Sequence, residues 1–372
     1  MTNEAPHDHD HDHALDHDRD HVLLRTEGRA AYITLNRPKA LNALSHPMVL
    51  RIEQALTAWA QDPGVEVVVI DGAGGRGLCA GGDIRAIYED ARTGGTASAD
   101  FWRDEYRLNA FIARYPKPYV ALMDGIVMGG GVGVSAHGSV RIVTERSKIA
   151  MPETGIGFVP DVGGTYLLAL APGELGTHLA LTGAPVGAAD ALLCGLADHF
   201  VPAQALPALS RELAVDPVHE VLERHVQEPP AGTLVPARDA WIDHCYAAGT
   251  AEEIVARLLA RGLPAAKDAA DTLLSKSPTA VKVTLAALRG ARRPGPLERV
   301  LEQEYRVSCA ALSSPDLVEG IRAQVIDKDR APRWSPAALE DVTPADVDRF
   351  FAPLDANELG LVATTSPQEV VW

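Results

Sequence analysis

Long uncharged stretches are missing from this sequence. No apolar run reaches the roughly 18 residues that a helix needs to cross a bilayer. The nearest, residues 118–136, is interrupted by Asp124 and dense in glycine. Cysteine is scarce: Cys79, Cys194, Cys245 and Cys309 lie far apart, without the spacing of a metal site or a disulfide framework. They read as reduced thiols in a cytoplasm. Positive charge is in deficit, with 34 Lys and Arg against 50 Asp and Glu and a net charge of −16. A chain this acidic repels nucleic acid and anionic membranes as a whole, so any anionic ligand must be held by a local set of donors. The N-terminus lacks a basic segment followed by an apolar one and is too acidic for a mitochondrial transit peptide, so the expected location is cytoplasmic.

What is present is a chain of 372 residues, 47% hydrophobic and 23% charged. That is the composition of a soluble globular protein with about two to three domains' worth of chain. Residues 1–21 alternate His and Asp and contribute −6 of the charge. They read as a solvated, disordered tail, although imidazoles beside carboxylates can take up a transition metal without any part in catalysis. From Val22 a β pattern begins: 22–26 and 31–36 form a hairpin, and Ser45 caps a helix running to about Gln61. Buried strands follow at 65–71, 118–123 and 140–144, with a charged helix at 100–115 and a short strand at 199–201. Beyond about Pro207 strand signals fade, and 251–261, 265–275, 278–289, 296–312 and 314–326 read as amphipathic helices. The expectation is an α/β core over 22–207 with an α-helical region over 208–372.

Three glycine-rich segments, 72–83, 125–133 and 155–164, stand next to strand ends. Glycine is costly in entropy and adds nothing to a core, so three such clusters point to close backbone approach to a ligand. Gly131 to Ala136 formally matches a G-x-G-x-x-A dinucleotide fingerprint, but the acidic residue expected about 20 positions later is out of place. No glycine loop runs into G-K-[ST], which excludes a P-loop. Two backbone N–H groups from two of these loops can converge on one oxygen as an oxyanion hole. Beside it the third loop carries Glu153 and Asp161 among apolar neighbours. Burial and mutual repulsion raise at least one of their pKa values, which suits general acid–base work. Taken alone, Asp161 also reads as a cap for a helix starting near Gly163.

These segments, in this order, resemble the enoyl-CoA hydratase/isomerase (crotonase) superfamily. The stretches that carry the resemblance are ITLNRPKALNAL (33–44), LCAGGDI (78–84), PYVALMDGIVMGGGVG (118–133) and MPETGIGFVPDVGG (151–164). It implies a crotonase-type spiral of ββα units and acyl-CoA thioester substrates, with the thioester carbonyl held between the N–H groups of Gly82 and Gly130. Hydratases of this superfamily carry a first glutamate where this chain has Gly133, and a second where it has Glu153. The PDVGG run puts Asp161 where hydratases have glycine. That pattern, with FWRDEYRLN (101–109), resembles the 3-hydroxyisobutyryl-CoA hydrolase subgroup.

The resemblance implies thioester hydrolysis in valine catabolism, with Glu153 as base or nucleophile and Asp161 positioning water or handling the leaving-group proton. It also implies that Glu105 contacts the acyl hydroxyl, while Lys39, Ala40 and Leu41 hold the coenzyme A phosphates and adenine. As a solvated turn residue, Lys39 has an equally simple reading. Neither a metal nor a redox cofactor is expected, coenzyme A being part of the substrate. The expected partner is the small-molecule acyl-CoA, with no nucleic acid and no membrane, and homo-oligomer formation stays open. The alternatives are a hydratase or double-bond isomerase of the same superfamily, and a non-catalytic acyl-CoA-binding protein.

Overall fold

The computed structural model describes residues 20–361; the alternating His-Asp run, up to residue 19, lies outside them. The chain repeats one unit. Strands β1 (Val22–Glu27) and β2 (Ala30–Leu35) are followed by helix α1 (His46–Gln61). Next come β3 (Val67–Gly72) and β4 (Gly77–Cys79) with α2 (Ile84–Thr93) and α3 (Ala97–Ala113). Strands β5 (Tyr119–Met123) and β6 (Ile126–Met128) precede the one-turn helix α4 (Gly130–Gly133). Strands β7 (Val140–Val143) and β8 (Lys148–Ala150) precede α5 (Gly164–Ala169). After the first unit, one strand of each pair joins a large sheet and the other a small one. The large sheet runs β1-β2-β3-β5-β7-β9, ending on the short β9 (His199–Phe200), and the small sheet runs β4-β6-β8. Apart from the β1–β2 hairpin, every neighbouring pair in both sheets is parallel.

Both faces of the large sheet are covered, which is why its strands read as unbroken β-branched runs. Alternate residues face opposite ways. Tyr32, Val67, Val69, Val120 and Leu122 face one apolar layer under the helix at Leu206–Glu212. Ile33, Val68, Ile70 and Ala121 face the main core. That core continues without a break into the helical C-terminal region through Leu288, Leu301 and Leu317. These belong to α6 (Pro278–Ala291), α7 (Leu297–Ala311) and α8 (Pro315–Ile321). No helix of the described residues is long and apolar enough to cross a membrane.

The structure departs from expectation in three places. Two helices, not one, follow the first glycine loop. The strands of the small sheet replace what read as loop. Ser45 does stand at the N-cap of α1, but its hydroxyl makes no capping bond and is buried without a partner.

The turn at Pro38–Ala40 shows how strain is carried. Leu41 and Asn42 have φ of 53° and 58°, a region that L-residues rarely occupy. The Asn42 side chain compensates: its Oδ1 accepts from the Arg37 N–H at 2.9 Å, and its Nδ2 donates to the carbonyls of Ala73 and Gly77. Asn42→Ala leaves those part-buried backbone groups without this partner at a position that also disfavours alanine. We expect it to cost about 2–4 kcal/mol in denaturant unfolding. A loss under about 0.5 kcal/mol would show that the network is idle.

Candidate active site

Strands β4, β6 and β8 are parallel, so the loops that follow them leave the small sheet at one edge. Those loops hold Gly81 and Gly82, Gly129 and Gly130, and Glu153. Ligands of parallel sheets bind at such carboxyl-terminal edges. Here the loops enclose a cavity of about 330 Å³, completed by α3 and by Lys276 and Gln324 of the C-terminal region. The cavity lining brings together Gly82, Gly130, Glu105, Glu153 and Asp161. It does not include Lys39, Ala40 or Leu41, which form the turn described above. Lys39 and Ala40 are exposed there, while the Leu41 carbonyl accepts from Ala80 N at 3.0 Å, tying the turn to the first glycine loop.

The glycines are there because nothing larger fits. A Cβ on Gly130 would lie 2.6 Å from Glu105 Oε1 and 3.4 Å from the Gly81 carbonyl carbon, the atom bonded to Gly82 N. A Cβ on Gly129, whose φ is +49°, would lie 2.9 Å from Glu153 Oε1. The two carboxyl groups therefore bracket consecutive residues of one tight turn. Among the described residues the N–H groups of Gly82 and Gly130 donate to no other protein group. At Gly133 a Cβ would meet Val162 Cβ at 2.8 Å and Asn109 Nδ2 at 2.9 Å. A side chain there has no room. The formal dinucleotide fingerprint thus begins in a one-turn helix packed hard on its neighbours, Gly131 against the Cys79 carbonyl, and runs on into the turn that follows.

Three carboxyl groups share this cavity while nearly out of water, Glu105 being 2%, Asp161 5% and Glu153 7% exposed. One oxygen of Glu105 and one of Glu153 are buried with no hydrogen-bond partner. Burial, reinforced by the charge of Asp161, pushes the carboxyls of Glu105 and Glu153 well above the usual range. Asp161 is also raised by burial, to about 7, but the hydrogen bond from Tyr106 opposes the rise. Tyr106 Oη donates to Asp161 Oδ2 at 2.8 Å and stands 2.7 Å from Ser308 Oγ on α7.

Asp161 does not cap the helix that follows it. That role falls to Glu304 of α7, whose carboxylate accepts from Gly163 N at 2.6 Å, Thr165 N at 2.9 Å and Thr165 Oγ1 at 2.5 Å. Burial raises the Glu304 carboxyl to about 8 despite these donors. Between Asp161 and Gly163 the β-branched Val162 has φ of +52°, held by His137 Nε2, which donates to the Val162 carbonyl at 2.7 Å. With Asp161 relieved of capping, its side chain is free to face the cavity. Glu304, Ser308 and Tyr106 were not singled out in the sequence. Their one signal is a polar residue within an apolar helical stripe, as Glu304 is beside Val300, Leu301 and Val307.

Comparison with known proteins adds the following. The family model described as "Enoyl-CoA hydratase/isomerase" matches residues 30–351. A Rattus norvegicus protein named "3-hydroxyisobutyryl-CoA hydrolase, mitochondrial" is 44% identical over 91% of this chain and 90% of its own. A solved structure from Mycobacterium thermoresistibile titled as a carnitinyl-CoA dehydratase is 55% identical, with a TM-score of 0.89 over 91% of this chain and 98% of that one. One from Rhodobacter sphaeroides 2.4.1 titled as an enoyl-CoA hydratase is 46% identical, with a TM-score of 0.86 over 91% and 99%. The fold is the expected crotonase type with a helical C-terminal region. The cytoplasmic expectation is overturned by the mitochondrial name of the rat relative. Scattered reduced cysteines did not discriminate, because a reducing environment preserves thiols wherever it is found.

The raised carboxyl of Asp161 has a consequence for stability. The folded state holds its proton up to about pH 7, whereas an unfolded aspartate releases it near about pH 3.9. The stability this contributes is whole below the unfolded value and is lost as the pH rises through the folded one. Asp161→Asn keeps an acceptor for Tyr106 and never charges. We expect it to melt above the wild type at pH 8, with the gap narrowing below pH 7 and gone by about pH 4. Melting curves at three pH values check this, and a gap that does not move with pH would contradict it.

Proposed function

We infer that this chain, which belongs to the enoyl-CoA hydratase/isomerase family, is a 3-hydroxyisobutyryl-CoA hydrolase, cleaving the thioester with water to 3-hydroxyisobutyrate and coenzyme A. The names of similar proteins divide between hydrolysis and hydration or dehydration chemistry. One observation favours hydrolysis: the first hydratase glutamate is replaced by Gly133, where Val162 and Asn109 fill the space, while Asp161 lines the cavity instead. The carboxyl pair that adds water across a double bond is broken, and a different pair, Glu153 and Asp161, stands beside two free backbone donors.

In this reading the thioester carbonyl lies between the N–H groups of Gly82 and Gly130. As water or a carboxylate attacks, charge moves onto the carbonyl oxygen and those fixed donors stabilise it without reorganising. Burial raises both carboxyls, so the pair can hold a charge and a proton together, and the reaction as proposed starts with Glu153 ionised and Asp161 protonated. Two routes share these positions. Glu153, once ionised, takes the proton of the attacking water; or its carboxylate attacks the carbonyl to form a mixed anhydride that water then opens. In either route Asp161 places the water and passes its proton to the departing coenzyme A sulfur, regaining one from Glu153 in the first route or from the anhydride-opening water in the second. Glu105, with an unpartnered buried oxygen, hydrogen-bonds the acyl hydroxyl. The exposed turn at Lys39, Ala40 and Leu41 holds the coenzyme A phosphates and adenine, and its bond to Ala80 sets that end against the glycine loop. Backbone donors and carboxyl groups supply the chemistry, so the reaction as proposed asks for no cofactor.

Glu153→Gln keeps the shape but can neither take a proton nor attack. Turnover, followed as free thiol, should fall by about two to four orders of magnitude, with the Kd for the thioester little changed. Full turnover in this variant would remove Glu153 from the reaction. The same thiol assay on a panel of thioesters tests the function itself, since a hydratase alters the acyl chain without releasing thiol and a pure binder does neither. For the acyl group, the hydroxylated ester should be cleaved faster than isobutyryl-CoA by about ten- to more than a hundredfold, because the deoxy compound leaves Glu105 unpaired. Glu105→Ala should bring that ratio towards one, mainly by slowing the hydroxylated ester. A ratio untouched by the substitution would sink this role.

A further inference from the structure

The cavity has a neighbour. A second hollow of about 240 Å³ opens beside α2 and α3, with Leu44, Ala86 and Ala97 in its wall. Ile87 and Phe101 line both hollows. Phe101 is buried, and its ring closes against the first glycine loop: a Cβ on Gly82 would lie 3.2 Å from Cε1 and 3.4 Å from Cζ. On α3, Phe101 precedes Glu105 by one turn, so the two side chains project from the same helix face. The aromatic ring therefore stands between the carboxyl that receives the acyl hydroxyl and the outer hollow.

We propose that Phe101 is the partition that sets acyl length: its ring ends the cavity behind the hydroxyl-binding position, and without it the two hollows join into a channel that admits longer 3-hydroxyacyl thioesters. This rests on the proposed function only for the identity of the small acyl group. The partition itself concerns binding and holds whichever reaction follows. Each methylene that gains an apolar wall is worth about fourfold in affinity.

The experiment is calorimetric titration with two unreactive coenzyme A thioethers, one carrying a branched four-carbon hydroxyalkyl group and one a straight eight-carbon 3-hydroxyalkyl group. Wild type should favour the short one. Phe101→Ala should shift the ratio of the two Kd values at least about tenfold towards the long one. Adding Ala97→Trp, which refills the outer hollow without touching the cavity, should cancel the gain. Phe101→Leu, a gentler truncation, should give a several-fold shift and decides the matter if the alanine variant does not fold. An unchanged ratio in the folded variants, or a gain that survives Ala97→Trp, overturns the proposal. Thiol release from 3-hydroxyisobutyryl-CoA by the wild type is measured alongside. Its absence would count against the hydrolase reading and leave the binding ratio to judge the partition.

Discussion

Buried charge is the constraint around which this molecule is arranged. Glu105, Glu153, Asp161 and Glu304 lie in one dry region, and the charge of Asp161 raises the pKa of each of the other three. Carboxyl groups so placed would relax apart, or draw in water, unless something held them. Two of them are held by donors: Asp161 by Tyr106, which Ser308 supports, and Glu304 by the backbone of Gly163 and Thr165. The other two, Glu105 and Glu153, each keep an oxygen without a partner. An unmet hydrogen-bonding group in a packed interior is expensive. The cost is carried by a core that runs unbroken from the sheets into the C-terminal helices, and in the proposed reaction the substrate supplies the missing partner.

The same constraint explains the division of labour among the carboxylates. In a simpler loop Asp161 would cap the next helix, the natural use of an aspartate two residues before a glycine. Glu304 reaches that helix from far along the chain, and the strained Val162 between them is fixed by His137. The aspartate is thereby directed to the cavity. Strain and a long-range cap stand where a local cap would have been cheaper, a pattern expected of functional sites.

Much of this was legible in the sequence, and the reason is local. The buried strands showed as β-branched runs, and the C-terminal helices as apolar stripes whose ends fall within a few residues of those observed. The glycine segments announced themselves because close approach leaves few other residues possible, and Glu105, Glu153 and Asp161 stood in recognisable stretches. What stayed hidden was short or distant. Strands of three residues, such as 77–79 and 148–150, are too brief to show alternation. Helix α2 merged with the glycine-rich run before it. Ser45 occupied the cap position without using it, since position follows from the backbone but the bond depends on the rotamer. Glu304 and Ser308 act across 141 and 202 residues of chain, and no window of sequence spans such pairings.

That separation also gives the site a history within each molecule's synthesis. Asp161 leaves the ribosome well before α7 exists, and at about 5–20 residues per second the anchors on α7 follow it by roughly 7–30 s. During that interval Tyr106 lacks its Ser308 partner and the loop after Asp161 lacks its Glu304 cap. Only when α7 packs down is the loop capped by Glu304 and Tyr106 anchored by Ser308. The loop that carries Asp161 is thus completed only late in synthesis, when the helix that caps and anchors it arrives.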